Sequence, residues 1–212
     1  MSFLNRIYRF WPVPIVCILL ISCGHSSNQS TPSTSIQTIR WQLDGNGFVQ
    51  FLTNDAQLYN YAFWNAYTQS NEVQMTTVTA TVKKQSGSLF GGYGIVFCYQ
   101  DSNNFYRLLI DAAGHYNVYS KVSGTYSAII PWTPSTHLNN GVGVENVISV
   151  TQQSPNNFTV NFNGVQETLF SDGNFTGGKA GFCAYIDDQA DENFPSTPAD
   201  IRFKLTTPVV YP

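Results

Sequence analysis

Three kinds of side chain in this sequence are able to do chemistry: four cysteines, a scatter of carboxylates, and a dense population of aromatic rings set among amides and hydroxyls. Each implies something different. A cysteine placed just after a short apolar run is a substrate for lipid attachment. Paired carboxylates cleave glycosidic bonds. Rings beside amides hold sugars or fill a core.

The cysteines divide by position. Arg6 and Arg9 form a positive n-region, and Pro12 to Ile21 an apolar run interrupted by Pro14. That run is shorter than the about 20 apolar residues a bilayer span requires, and it suits the h-region of an export signal. It ends in Leu20-Ile21-Ser22-Cys23, which resembles a lipobox. An ordinary cleavage site would show small residues in an A-x-A-like pattern. The expectation is a signal peptide over residues 1–22, cleavage before Cys23, and lipidation of that cysteine. The protein would then face an extracytoplasmic space, touching the membrane only through its acyl chains. Gly24 stands where the Gram-negative sorting rule places a retaining aspartate, which favours the outer membrane. Cys17 leaves with the leader. Cys98 and Cys183 remain, and two cysteines in an oxidising compartment suggest one disulfide. They are too few for a structural zinc site, and His115 and His137 lack the short ligand spacings of one.

Charge narrows the partners. Of 10 basic residues, Arg6 and Arg9 lie in the leader, leaving 8 against 13 acidic ones. A mildly acidic chain without a basic run is unsuited to neutralising phosphates, so nucleic acid is excluded as a partner. No protein partner is indicated. Only 11% of residues are charged while 15% are aromatic, a balance suited to half-buried strands.

The elements that must position these groups are strands. Residues 23–38 read CGHSSNQSTPSTSIQT, a Ser/Thr-rich tether. Order is expected from Ile39 to Trp41 onward, in one domain over residues 39–212. Strand patterns follow at Thr76 to Lys83, Gly94 to Gln100, Phe105 to Asp111, His115 to Val122, Thr125 to Ile130 and Val144 to Gln152. They continue at Phe158 to Phe162, Val165 to Phe170, Gly181 to Ile186 and Ile201 to Thr206. Turn residues separate them, and Asn163-Gly164 is a strong hairpin signal. Tyr59, Tyr61 and Phe63 alternate as a strand packed on the core, within an aromatic run that includes Trp64 and Tyr67. No ten-residue helical periodicity occurs. Short, regularly spaced strands mean an all-β antiparallel sandwich or barrel.

The order of segments GYGIVFCYQDSNNFYRLLID, GHYNVYSKVSGTYSAIIPWTPS, VISVTQQSPNNFTVNFNGVQ, FTGGKAGFCAYID and ADIRFKLTTP is similar to the concanavalin A-like lectin/glucanase superfamily. Within it, the chain looks most like laminin-G-like jelly rolls and the bacterial 3-keto-disaccharide hydrolase domain family. The likeness covers roughly Met75 to Pro208, and Trp41 to Asn71 matches poorly. It implies a two-sheet antiparallel jelly roll with one concave, solvent-facing sheet. It also implies that the strands of Cys98 and Cys183 are neighbours, so that these two would form the disulfide.

Side chains alternate along strands, so parity assigns faces. Ile95, Phe97 and Tyr99 form the bulkier, core set of their strand. Tyr106, Leu108, Ile110, Tyr116, Val118, Ala180, Phe182 and Ala184 join them. The open face then collects Gln100, Arg107, Asn117, Tyr119 and Tyr185, a mixture in which rings stack on sugars while amides and a guanidinium bind hydroxyls. Phe105, Leu109, Asp111, Lys121 and Cys183 share that outward parity. Trp132 is read as capping the core, with a groove rim as the alternative. Asp187, Asp188 and Asp191, with Glu192, crowd one loop that could hold Ca²⁺, though without EF-hand spacing.

Catalytic signatures are missing. The glucanases of the superfamily carry an E-x-D-x-x-E strand, and this sequence has none. It also lacks G-x-S-x-G and H-E-x-x-H. Asp101 and Asp111 lie on or beside the open face with no carboxylate placed opposite, while Glu145 and Glu167 fall on strands of the other sheet. Three functions therefore compete. The first is a non-catalytic carbohydrate-binding lipoprotein, the second a glycoside-acting hydrolase or lyase, and the third a structural or protein-interacting envelope lipoprotein.

Overall fold

The computed structural model describes residues 40–53, 61–63, 77–186 and 198–205. The leader, Cys23, the tether, Tyr59, Trp64, Tyr67 and the acidic loop of Asp187, Asp188, Asp191 and Glu192 lie outside the described residues. Two antiparallel sheets make up the rest. One has seven strands in the order β1 (Arg40–Leu43), β2 (Val49–Thr53), β13 (Ala199–Leu205), β4 (Thr77–Ser86), β9 (Glu145–Ser154), β10 (Asn157–Phe162) and β11 (Val165–Ser171). The other has six, in the order β3 (Tyr61–Phe63), β12 (Lys179–Tyr185), β5 (Gly92–Asp101), β6 (Asn104–Ile110), β7 (His115–Val122) and β8 (Thr125–Pro134). The poorly matching N-terminal stretch does supply early strands: β1, β2 and β3.

Alternation builds the core. In β4 the sequence TVTATV buries Val78, Ala80 and Val82 and leaves Thr77 and Thr79 half-exposed on the outside. β9 buries Asn146, Ile148 and Val150 and exposes Glu145 and Val147. Between the sheets lies a core that includes Phe97, Tyr106, Phe158, Phe162, Phe182 and Phe203. Phe97 of one sheet meets Phe158 of the other at 5.8 Å between ring centroids. Phe158 stacks on Phe170 at 4.9 Å, and Phe182 on Phe203 at the same distance. The hairpin turns follow their chemistry. Asn163-Gly164 has φ of 52° and 85°, and Ser123-Gly124 has 49° and 85°. Both residues of each turn are thus left-handed, as the tight turn between twisted strands requires.

One departure from simple alternation shapes the open face. Cys98 has φ 48° although it is not glycine. Gly181 of β12 pairs with Val96 of β5, and Lys179 with Tyr99, so β5 spends three residues where β12 spends two. This bulge reverses parity. Phe97 and Cys98 both enter the main core, and Tyr99 turns outward to stack on Phe105 at 6.0 Å. Tyr99 is therefore not a core residue, and Gln100 leaves the open face. Its amide donates to the carbonyls of Gly177 and Cys98.

The disulfide expectation fails for the same reason. β5 and β12 are neighbours, as expected, but the register sets Cys183 opposite Gly94. Cys98 lies four residues further along and on the other face. Both cysteines are free and buried.

Candidate functional site

The outer face of the six-stranded sheet is organised in rows set by register. One row runs Cys183, Gly94, Leu109, Asn117 and then the bulged Pro131-Trp132 pair of β8. The next runs Gly181, Val96, Arg107, Tyr119 and Ala128. A third contains Phe105, Lys121 and Tyr126. Four of the five residues expected to gather here do so: Arg107, Asn117, Tyr119 and Tyr185. Gln100 does not.

Arg107 is the centre. It is only 6% exposed, and its guanidinium lies 4.7 Å from the ring centroid of Tyr126, 5.2 Å from Tyr119 and 5.5 Å from Tyr185. A cation over an aromatic face is attracted by the ring quadrupole, by about 0.5–2 kcal/mol for each well-placed ring. The same guanidinium hydrogen-bonds the Cys183 side chain. Burial pushes that thiol up to about 11, and the nearby positive charge opposes the shift. Tyr126 is also raised by burial, against the pull of Arg107. Lys121 repeats the pattern one row away. Its ammonium stands 5.0 Å from the Tyr126 ring and 5.6 Å from Phe105, and it donates to the Ser102 carbonyl at 2.9 Å. Beneath these groups Val96, Phe105, Leu109 and Cys183 form a second, smaller apolar cluster with Tyr99, Tyr126 and Tyr185 packed against it. Tyr126 belongs to the site but was not singled out from the sequence. Its place opposite Lys121 depends on the β7–β8 register, which two shifts in that pairing disguise.

Trp132 belongs here too, not over the core. It is 40% exposed, and its Cη2 lies 3.1 Å from where a Cβ on Gly92 would be. Gly92 is on β5 and Trp132 on β8, three strands away in the sheet order. In a flat sheet, strands about 4.8 Å apart would separate them by about 14 Å. Their contact requires the face to curl inward, so this face is concave.

The carboxylates are occupied elsewhere. Asp111, expected on the open face, closes the β6–β7 turn by accepting from the His115 backbone N–H at 2.8 Å and pairing with its Nδ1 at 3.0 Å. Asp101 accepts from Asn103 N at 2.7 Å and Asn104 Nδ2 at 3.0 Å, bonds that hold its carboxyl below the usual range. Glu167 accepts from Ser135 at 2.6 Å and contacts His137 Nδ1 at 2.8 Å, and Glu145 pairs with Lys83 at 3.1 Å. Among the described residues no group of three or more His, Cys, Asp or Glu side chains is placed to hold a metal ion.

No protein-family model matches the sequence, and no curated protein matches it. Solved structures do. The carbohydrate binding module CBM66 from Bacillus subtilis is similar with a TM-score of 0.60 and 14% identity, over 79% of this chain and 89% of that one. The fold is a concanavalin A-like jelly roll. A Bacillus licheniformis beta-glucanase shares this jelly roll with a TM-score of 0.53 at 9% identity, over 79% of this chain and 82% of the other. At such identities the likeness is one of fold. The jelly roll fixes where the concave face lies; its side chains must supply any function.

Proposed function

We propose that this protein binds carbohydrate on the concave face of its six-stranded sheet without cleaving it. We further propose that it is displayed outside the cytoplasm on lipid attached to Cys23. The observation that carries the binding reading is the ring cluster: half-buried Tyr119, Tyr126 and Tyr185 arranged around Arg107 on an inward-curving face. Half-exposed rings on a curved sheet present stacking surfaces at low entropic cost, and their hydroxyls add hydrogen bonds. The engagement of Asp101, Asp111, Glu145 and Glu167 in turns and ion pairs supports a binding rather than a cleaving role. The lipobox-like segment supports the anchor.

Ring stacking plus a few hydrogen bonds of about 1 kcal/mol each gives micromolar to millimolar affinity. Display in many copies on a surface raises this through avidity. A glycan array probed with the full-length chain tests the reading. Retention on a defined set of glycans without product release is the expected result. A folded sample that binds none of the bacterial, plant or host glycans would leave a structural envelope role instead.

A further inference from the structure

The cation at the centre of the concave face is already engaged, while the rings around it stay half-exposed. Arg107 is buried among three rings and bonded to a thiol, so it acts first as an internal post. The corner beside it is different. There the Trp132 indole reaches across the sheet until its Cη2 meets Gly92. A Cβ on Gly92 would stand 2.7 Å from Leu109 Cδ1 and 3.1 Å from the indole, so a larger residue there would press on both side chains. Trp132 nevertheless keeps 40% of its surface exposed. A large apolar ring that is held against a sheet and remains open to solvent offers a stacking surface.

Asn117 adds a second, independent feature. It lies in register between Leu109 of β6 and the bulged Pro131-Trp132 pair of β8, and so neighbours the strand position that carries the indole. The residue is 1% exposed, and its Oδ1 has no hydrogen-bond partner among the described residues. Buried acceptors are nearly always satisfied, and leaving one unmade is costly. An acceptor left in this state beside a solvent-open ring gains its partner when a ligand's donor displaces the cover over it.

We infer that the ligand's seat is this corner, with Trp132 as the stacking platform and Asn117 as the hydrogen-bonding group, and that it takes a neutral pyranose ring. The inference rests on the carbohydrate reading above. A pyranose offers an apolar C–H face to the indole and, beside it, hydroxyls that donate to Oδ1. A carboxylate or sulfate in that position would have no proton to donate and would face an acceptor. Gly92, Gly94, Leu109, Asn117 and Trp132 carry no charge to compensate it, and the neighbouring Arg107 is already engaged by its three rings.

Calorimetric titration of the full-length chain with cellohexaose, xylohexaose, maltohexaose and an oligogalacturonate of equal length tests the seat, with melting temperatures recorded for every variant. The wild-type chain should bind a neutral oligosaccharide more tightly than the oligogalacturonate. Trp132→Ala should weaken that binding about tenfold or more, Trp132→Phe less, and Asn117→Ala about fivefold, with melting temperatures little changed. Binding that survives Trp132→Ala and Asn117→Ala but is lost in Tyr119→Ala would overturn the corner and leave the face. Preference for the oligogalacturonate would overturn the neutral ligand. Failure of the wild-type chain to bind any of the four neutral or acidic probes, with no glycan retained on the array, would overturn the carbohydrate reading itself.

Discussion

Some buried polar groups in this protein hold a neighbour in place, and they are where single substitutions should be most informative. Lys84 is 1% exposed, and its ammonium donates to the carbonyls of Ser88 at 2.9 Å, Gly91 at 3.1 Å and Phe90. One side chain thus folds the segment that leads into Gly92 and the corner of the concave face. Lys84→Met removes the charge and strands three carbonyls, and should lower stability by about 2–3 kcal/mol in urea unfolding; an unchanged midpoint would show that the segment holds itself. The two thiols make a different prediction. Burial raises Cys98 from its ordinary 9.0 to about 12 and Cys183 to about 11. The folded state therefore holds these protons more tightly than the unfolded chain. This contribution to stability is complete below pH 9 and is lost as pH climbs through about 11 and then about 12. At pH 8 iodoacetamide should label Cys98 and Cys183 only after denaturation, read by peptide mass spectrometry. A Cys98–Cys183 crosslinked peptide from the native protein would contradict the register of β5 and β12.

At the scale of elements, β5 and its neighbours decide which side chains the concave face presents. Gly94 is needed where β5 passes β6, because a Cβ there would lie 2.1 Å from the Leu108 carbonyl oxygen. Gly94→Ala should cost about 2–3 kcal/mol through forced displacement of one strand, a loss visible as an earlier thermal transition. Much of this layer was legible from sequence. His115–Val122 coincides with β7 as read from alternation, and the Asn163-Gly164 turn closes the hairpin of β10 and β11. Arg107, Asn117, Tyr119 and Tyr185 face outward because unbroken alternation carries their parity correctly. Within the strands, parity failed where one spends an extra residue, and past the end of β6 the turn took Asp111. Nothing in GIVFCYQ announces a left-handed cysteine, since glycine or asparagine is the usual occupant of positive φ. The bulge at Cys98 therefore misplaced Tyr99, Gln100 and the disulfide together. Trp132 was hidden similarly: prolines on either side and a register shift in β8 conceal its parity, and only the curl of the sheet brings its ring to Gly92.

The described residues form a sandwich whose inner faces hold the core and whose six-stranded sheet leaves a concave outer face. The inner faces are joined by rings that cross between sheets, so Phe97→Ala should cost about 3–5 kcal/mol in unfolding free energy and abolish binding with the fold. The concave outer face is separable from that core. Tyr119 and Tyr185 are only half-buried there, and neither joins the main core cluster. That separation permits a direct test of the central claim. The measurement is isothermal calorimetry of the full-length chain and of its Tyr119→Ala, Tyr185→Ala double variant, titrated with the oligosaccharide retained most strongly on the array. The account predicts saturable micromolar to millimolar binding by the wild-type chain and at least about tenfold weaker binding by a double variant that melts as the wild type does. Equal affinity for the two folded proteins would contradict it.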